Sequence, residues 1–255
     1  HLRKGGRPED VPAFEPPTPS DCNTIFRDAV LGGPGCLGDS KAKYFVAKAI
    51  LAQQEKDLRE LHEKNLFSVP DRTEHALRLL REAAWEVPAA GTEIAKLTLM
   101  KKDSTKQEKE EAVEYLECSA DSDEPGGLFF LGAAFMHGWL GLTADVDKAI
   151  GFLERAAANE DPRAFNALAM LYRDGNGVEL DPQRAREYAR RSAEAGFPIG
   201  QHQYGSFLID GFGGPADRET GLMWVRRAVR QDNALATCQL ATEIRKSVAD
   251  ANFSA

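Results

Sequence analysis

At 255 residues, with 42% hydrophobic and 28% charged side chains, the chain has the make-up of a protein of one or two domains able to bury a sizeable core. A net charge of −8 argues against nucleic acid, because neutralising phosphates takes a concentrated Lys/Arg surface; a protein partner with a basic face fits better. No stretch approaches the roughly 20 uncharged apolar residues that span a bilayer, so any membrane link is expected to be an N-terminal lipid anchor outside this sequence.

The first residue is His1 rather than Met, as expected if a segment such as a signal peptide has been removed upstream. Residues 1–20 carry five prolines and almost no apolar periodicity, a composition that predicts a disordered tether: the stalk of an exported protein, or an ordinary terminus. Ser20 or Asp21 starts, and Gly32-Gly33 stops, an expected capping helix that with its turn covers 21–41. Cys22 and Cys36 flank this segment, and its Gly-Gly-Pro-Gly turn is able to bring them together as a local disulfide in an oxidising compartment. None of the four cysteines has a zinc-ligand spacing.

From residue 42 to 246 the dominant signal is internal repetition. A small residue recurs as Gly132, Ala169, Gly205 and Ala241, at spacings of 37, 36 and 36. Loop glycines recur as Gly138 with Gly141, Gly175 with Gly177, and Gly211 with Gly213; four residues later stands Asp145, Asp181 or Asp217. Then come a small residue (Ala149, Ala185, Gly221), an aromatic (Phe152, Tyr188, Trp224) and a small pair (Ala156-Ala157, Ser192-Ala193, Ala228-Val229). With less fidelity the pattern extends back through Ala112, Tyr115 and Ser119-Ala120 to Ala76, Leu79 and Ala83-Ala84. Apolar residues at helical spacing, glycine at the end of one helix and aspartate before the next describe a helix pair. Five second helices are placed this way. The first repeat has about twelve extra residues, expected to lengthen its first helix before Pro70 and Asp71 start the second; the second repeat replaces the glycine loop with KKDSTKQEKEE. A sixth first helix, 234–246, is expected to cap the array before a tail at 247–255.

The arrangement L-[GA]-x-x-[YF]-x-x-G-x-G-V-x-x-D-x-x-x-A-x-x-[YW]-x-x-x-[AS]-A, nearly intact from Leu168 to Ala193, resembles the Sel-one-like repeat family, relatives of the tetratricopeptide repeats. The resemblance is strong over 126–246 and divergent over 42–125. It implies an all-α, right-handed superhelical solenoid of antiparallel helix pairs that acts as a binding scaffold without catalytic residues or cofactors. Many bacterial members are exported, and some periplasmic ones are similar in role to immunity proteins against toxins delivered by type VI secretion.

The residues themselves point the same way. Asp174-Gly175-Asn176-Gly177 lacks the calcium-loop register, and Gly211–Gly214 has neither a preceding strand nor a phosphate-gripping lysine. The five histidines are scattered, and acidic pairs such as Glu110-Glu111 lie in hydrophilic runs. No metal site or catalytic constellation follows. Partner binding is instead expected at large side chains that depart from the repeat. Trp139 and Phe212 share the loop position after the first glycine, where the middle repeat has Asn176. Phe129 and Phe130 stand opposite Asn166-Ala167 and His202-Gln203, at least one of the two phenylalanines being expected in the core. Met136, Arg173 and Ile209 share a position on the expected concave face. The function expected is that of an exported, periplasmic immunity protein sequestering a toxic enzyme. An envelope adaptor and a module binding a cell-wall polymer are the alternatives.

Overall fold

The computed structural model describes residues 39–64 and 72–253. The tether, nearly all of the expected capping segment and the Cys22–Cys36 pair lie outside the described residues. Those described contain eleven α-helices and no strand: α1 Ser40–Lys64, α2 Thr73–Ala83, α3 Pro88–Met100, α4 Lys106–Asp121, α5 Pro125–His137, α6 Val146–Ala158, α7 Pro162–Asp174, α8 Pro182–Glu194, α9 Pro198–Asp210, α10 Arg218–Val229 and α11 Ala234–Phe253. The chain divides at Val87/Pro88 into two compact units.

Among the described residues, the first unit comprises the helix pair α1/α2. Asp39 accepts a bond from the Lys41 N–H at the start of α1, 3.0 Å. Val46, Ala47 and Ile50 are buried on α1, and Ala76, Leu79, Leu80 and Ala83 on α2. The 25-residue α1 absorbs the extra residues of this repeat. Helix α2 is described from Thr73; Pro70 and Asp71, expected to start it, lie outside the described residues. The Arg72 N–H before it donates to Gln54 Oε1 on α1 at 2.7 Å, which ties the helix start to its partner.

The second unit stacks the pairs α3/α4, α5/α6, α7/α8 and α9/α10, with α11 packed on α10. The aspartates expected to start second helices do so. Asp145 accepts from Lys148 N, Asp181 from Gln183 N and Arg184 N, and Asp217 from Thr220 N, all near 3.0 Å. Where the second repeat lacks glycines, Thr105 and Glu108 form a reciprocal capping box. Lys101 bonds the Glu108 carboxylate, which with the Thr105 N–H holds that exposed carboxyl down at about 2.

The small residues are contact points. Ala149 and Ala185 are fully buried, and at Gly205 an added Cβ would lie 2.8 Å from the Gly221 carbonyl oxygen, so α9 and α10 approach backbone to backbone. The small pairs pack on the next repeat. Ser119 donates to the Pro88 carbonyl (2.6 Å) and Ser192 to the Pro162 carbonyl (2.7 Å), each within its own pair. A Cβ at Gly127 or Gly200, on the following first helix, would overlap those serines. Helices α4 and α8 are each thereby clamped between two first helices.

At the C-terminal end, α11 continues to Phe253 instead of giving way to a tail after Lys246. The stretch after Lys246 has no glycine or proline to stop it. Glu243 is buried between Arg218 of α10 and Lys246, while Leu235, Ala241 and Ile244 are exposed.

Candidate partner-binding groove

First helices of successive repeats face the same side of the second unit, and between α5, α7 and the start of α9 they leave a groove of about 380 Å³. Phe129, Phe130, Ala133 and Met136 form one wall, and Asn166, Ala167, Met170 and Asp174 the other. Trp139 and Asn176 close it at the loop end, and Ile199 borders it from α9. Trp139, Met170 and Ile199 remain 41–45% exposed, so large apolar surface is offered to solvent in one place.

Local chemistry sets these side chains. Phe129 and Phe130 meet edge to face with ring centroids 5.3 Å apart. Both carry the Arg163 guanidinium, 4.6 Å from one ring and 5.3 Å from the other. Arg163 is pinned by Asp161, which caps α7 through the Arg163 N–H (2.9 Å) and accepts from the guanidinium at 3.0 and 2.5 Å. Asp161 is itself 4% exposed, so the arginine is part of a built wall and not a free surface charge. Trp139 stacks on His137 at 4.7 Å.

The loop before α6 is one residue longer than its two successors, and this aims the tryptophan. Residues 139–141 form a 3-10 turn in which Leu140 takes φ 57°, the left-handed conformation that Gly177 and Gly213 adopt in the later loops. Leu140 is buried, which anchors the turn while Trp139 faces the groove.

Of the residues singled out in the sequence, Phe130, Met136 and Trp139 come together here. Arg173 stands beside the groove, bound through two 2.7 Å hydrogen bonds to Asp174. That contact raises the guanidinium above its ordinary value and holds the Asp174 carboxyl below the usual range. Phe212 does not project as Trp139 does: in the shorter loop it turns inward onto Phe207, with rings 4.7 Å apart. Ile209 packs on the cluster of Val225, Ala228 and Ala236. Neither Phe129 nor Phe130 is buried in the core; both are half-buried on the groove wall.

Sequence reasoning missed Arg163, Met170 and Ile199 as groove residues. A signal existed in the prolines that start α3, α5, α7 and α9, at Pro88, Pro125, Pro162 and Pro198. They set the register of the first helices, and Asp161-Pro162-Arg163 reads as a cap followed by a side chain able to fold back onto it. Among the described residues no cluster of His, Cys, Asp and Glu could hold a metal ion, and no helix is long and apolar enough to cross a membrane.

Comparison with known proteins agrees with this architecture. Chitin synthase regulatory factor 3 of Schizosaccharomyces pombe is 29% identical over 120 residues, 45% of this chain; the chain spans 13% of that relative's length. A protective antigen of uropathogenic Escherichia coli strains, displaying an SLR fold, superposes with TM-score 0.62 at 22% identity, over 90% of this chain and 45% of that one. An immunity protein of Pseudomonas aeruginosa superposes with TM-score 0.50 at 15% identity, over 86% of this chain and 84% of that one. The Sel1 repeat model matches residues 102–124, over α4, and 125–161, 162–197 and 198–233, over the pairs α5/α6, α7/α8 and α9/α10; with more than half of its residues so matched, this chain belongs to the Sel1 repeat family.

Proposed function

We propose that this Sel1 repeat chain is a non-enzymatic scaffold that grips a protein partner through the groove between α5 and α7. The observation that carries the reading is the gathering of Phe130, Met136, Trp139, Met170 and Ile199 around one 380 Å³ depression, half-exposed and rimmed by polar groups. Aromatic and methionine side chains at the centre of a recess are the usual anchors of a protein interface.

Within that class, the specific role proposed is that of an exported, periplasmic immunity protein that occludes a toxic enzyme delivered by type VI secretion. An immunity protein of P. aeruginosa is built on the same fold, which makes the scaffold compatible with the task. The net charge of −8 suits an enzyme with a basic face.

The test is capture with the purified chain from its own cell extract, compared with Trp139→Ala, followed by mass spectrometry and assay of the captured protein. One stoichiometric enzyme, inhibited when bound and lost with Trp139→Ala, is the expected result. Several weakly held envelope proteins would replace the immunity role by that of an adaptor, and cell-wall polymer alone would replace it by a polymer-binding module.

A further inference from the structure

The second helices of the second unit differ in how they neutralise the arginines of their last turns. On α8 the charges are matched within the chain: Arg190 holds Glu187 at 2.6 Å and Glu194 at 2.7 Å, and Arg191 holds Glu160 at 2.9 Å. One repeat later, 36 residues on, α10 keeps both cations as Arg226 and Arg227 but replaces all three acids: Glu187 by Met223, Glu194 by Arg230 and Glu160 by Gly196. Arg226, Arg227 and Arg230 are exposed on one face of α10 around Met223, itself 51% exposed, and among the described residues no acid pairs with any of the three. The one acid within α10, Glu219, stands two turns before Arg226. The helix dipole favours a cation in the last turn, which Arg191 already supplies in paired form on α8; it gives no reason to strip the partners away.

The same register on α4 carries the opposite charge. Counted from the small contact residues Ala112 and Gly221, Glu114 stands where α10 has Met223, Glu117 where it has Arg226 and Asp121 where it has Arg230. These acids are exposed, and among the described residues none has a cation partner. The pairs α5/α6 and α7/α8 separate α4 from α10 in the stack, so the two stripes of one chain do not meet. Going beyond the groove, we propose that α10 is a docking face for a second copy of this chain, its arginines receiving the Glu114, Glu117 and Asp121 stripe of that copy's α4 while Met223 is covered between them. An anionic membrane or a nucleic acid suits this face less, because each sets an unbroken field of negative charge against a chain of net charge −8, whereas a second copy offers a local stripe of matched length. At physiological salt, charges farther apart than about 8 Å are largely screened, so the facing stripes outweigh the like net charge of the two copies. Exposed ion pairs are individually weak, which makes the association weak and sensitive to salt.

The test is sedimentation equilibrium of the full chain over a concentration series, at about 0.15 M and about 1 M salt, where the screening length falls to about 3 Å. Two double variants at matched positions accompany it. Arg226→Glu with Arg230→Glu turns the basic stripe acidic, and Glu117→Arg with Asp121→Arg turns the acidic stripe basic. The native chain is expected to self-associate at the lower salt and about tenfold less at the higher. Each double variant alone is expected to weaken association about tenfold or more with its melting temperature nearly unchanged, as for exposed substitutions. An equimolar mixture of the two is expected to associate again, because each acidic stripe then meets a basic one. If the first double variant melts early, Arg226→Gln with Arg230→Gln takes its place and is expected to lose association as well. A native chain that stays monomeric at the lower salt, association that a double variant retains, or a mixture that fails to restore it overturns the proposal. Loss of a captured acidic protein or of anionic vesicles from Arg226→Glu with Arg230→Glu, when the native chain is itself monomeric, overturns it too and gives the face to that other partner.

Discussion

His202 occupies the helix position that Asn166 holds one repeat earlier. It is half-buried on α9, and burial pushes its pKa down from the ordinary histidine value, only partly opposed by a hydrogen bond with Gln239. In the unfolded chain the imidazole protonates near its ordinary value of about 6.5, so between that and the lower folded value the unfolded state binds more protons. Stability contributed by the neutral ring is therefore present above neutral pH and is lost as pH falls through that window. A melting-temperature series on the native chain and on His202→Gln should show the native chain losing stability faster from neutral pH toward mild acid. Parallel curves would mean that His202 is solvated in both protonation states. Leu140 shows the other residue-scale compromise: a left-handed backbone costs an L-residue about 1–2 kcal/mol, offset by a side chain that joins the core around Leu116 and Leu153.

Between elements, the decisive contacts are those where two helices nearly touch. A methyl group at Gly200 would sit 2.1 Å from Ser192 Oγ and 2.6 Å from its Cβ, against a serine whose hydroxyl is committed to the Pro162 carbonyl. Gly200→Ala should force α9 away from α8 and cost about 1–3 kcal/mol in denaturant unfolding, despite the better helix propensity of alanine. A neutral or stabilising result would mean that the α8/α9 packing slides freely. Phe212 and Trp139 offer a paired test, since they share a repeat position and differ in environment. Phe212→Ala opens a hole beside Phe207 and should cost about 2 kcal/mol, whereas Trp139→Ala, at a site 41% exposed, should cost less than about 1 kcal/mol. Reversed costs would place the tryptophan in the structural core and take it out of the interface. The same pair shows that residues in register need not share an environment. The repeat makes them equivalent in register, but the one-residue insertion at Leu140-Gly141 turns Trp139 toward the groove, and the shorter Gly211–Gly213 loop turns Phe212 inward.

On the scale of the whole chain, the proposed binding of a basic partner in the groove assigns different tasks to the net charge of −8 and to the apolar surface. Under that proposal, long-range attraction governs how fast the two meet, and desolvated apolar contact governs how long they stay. Added salt should therefore slow association, measured by stopped-flow or surface plasmon resonance, and leave dissociation nearly unchanged. Dissociation that quickens with salt would show charged rim contacts, not the groove, holding the complex. Helix identity, pair order and the small-residue contacts follow from sequence, because each depends on neighbours within one repeat: Asp145, Asp181 and Asp217 cap the next few amides whatever surrounds them, and Ala149, Ala185 and Gly221 recur wherever two helices must close up. The groove does not follow from sequence in this way. It is built from side chains about 37 residues apart on α5 and α7, from a tryptophan aimed by a loop insertion, and from an arginine folded back onto its own helix cap. Those placements depend on how one repeat stacks upon the next, a relation that local periodicity leaves open and that only packing in three dimensions decides.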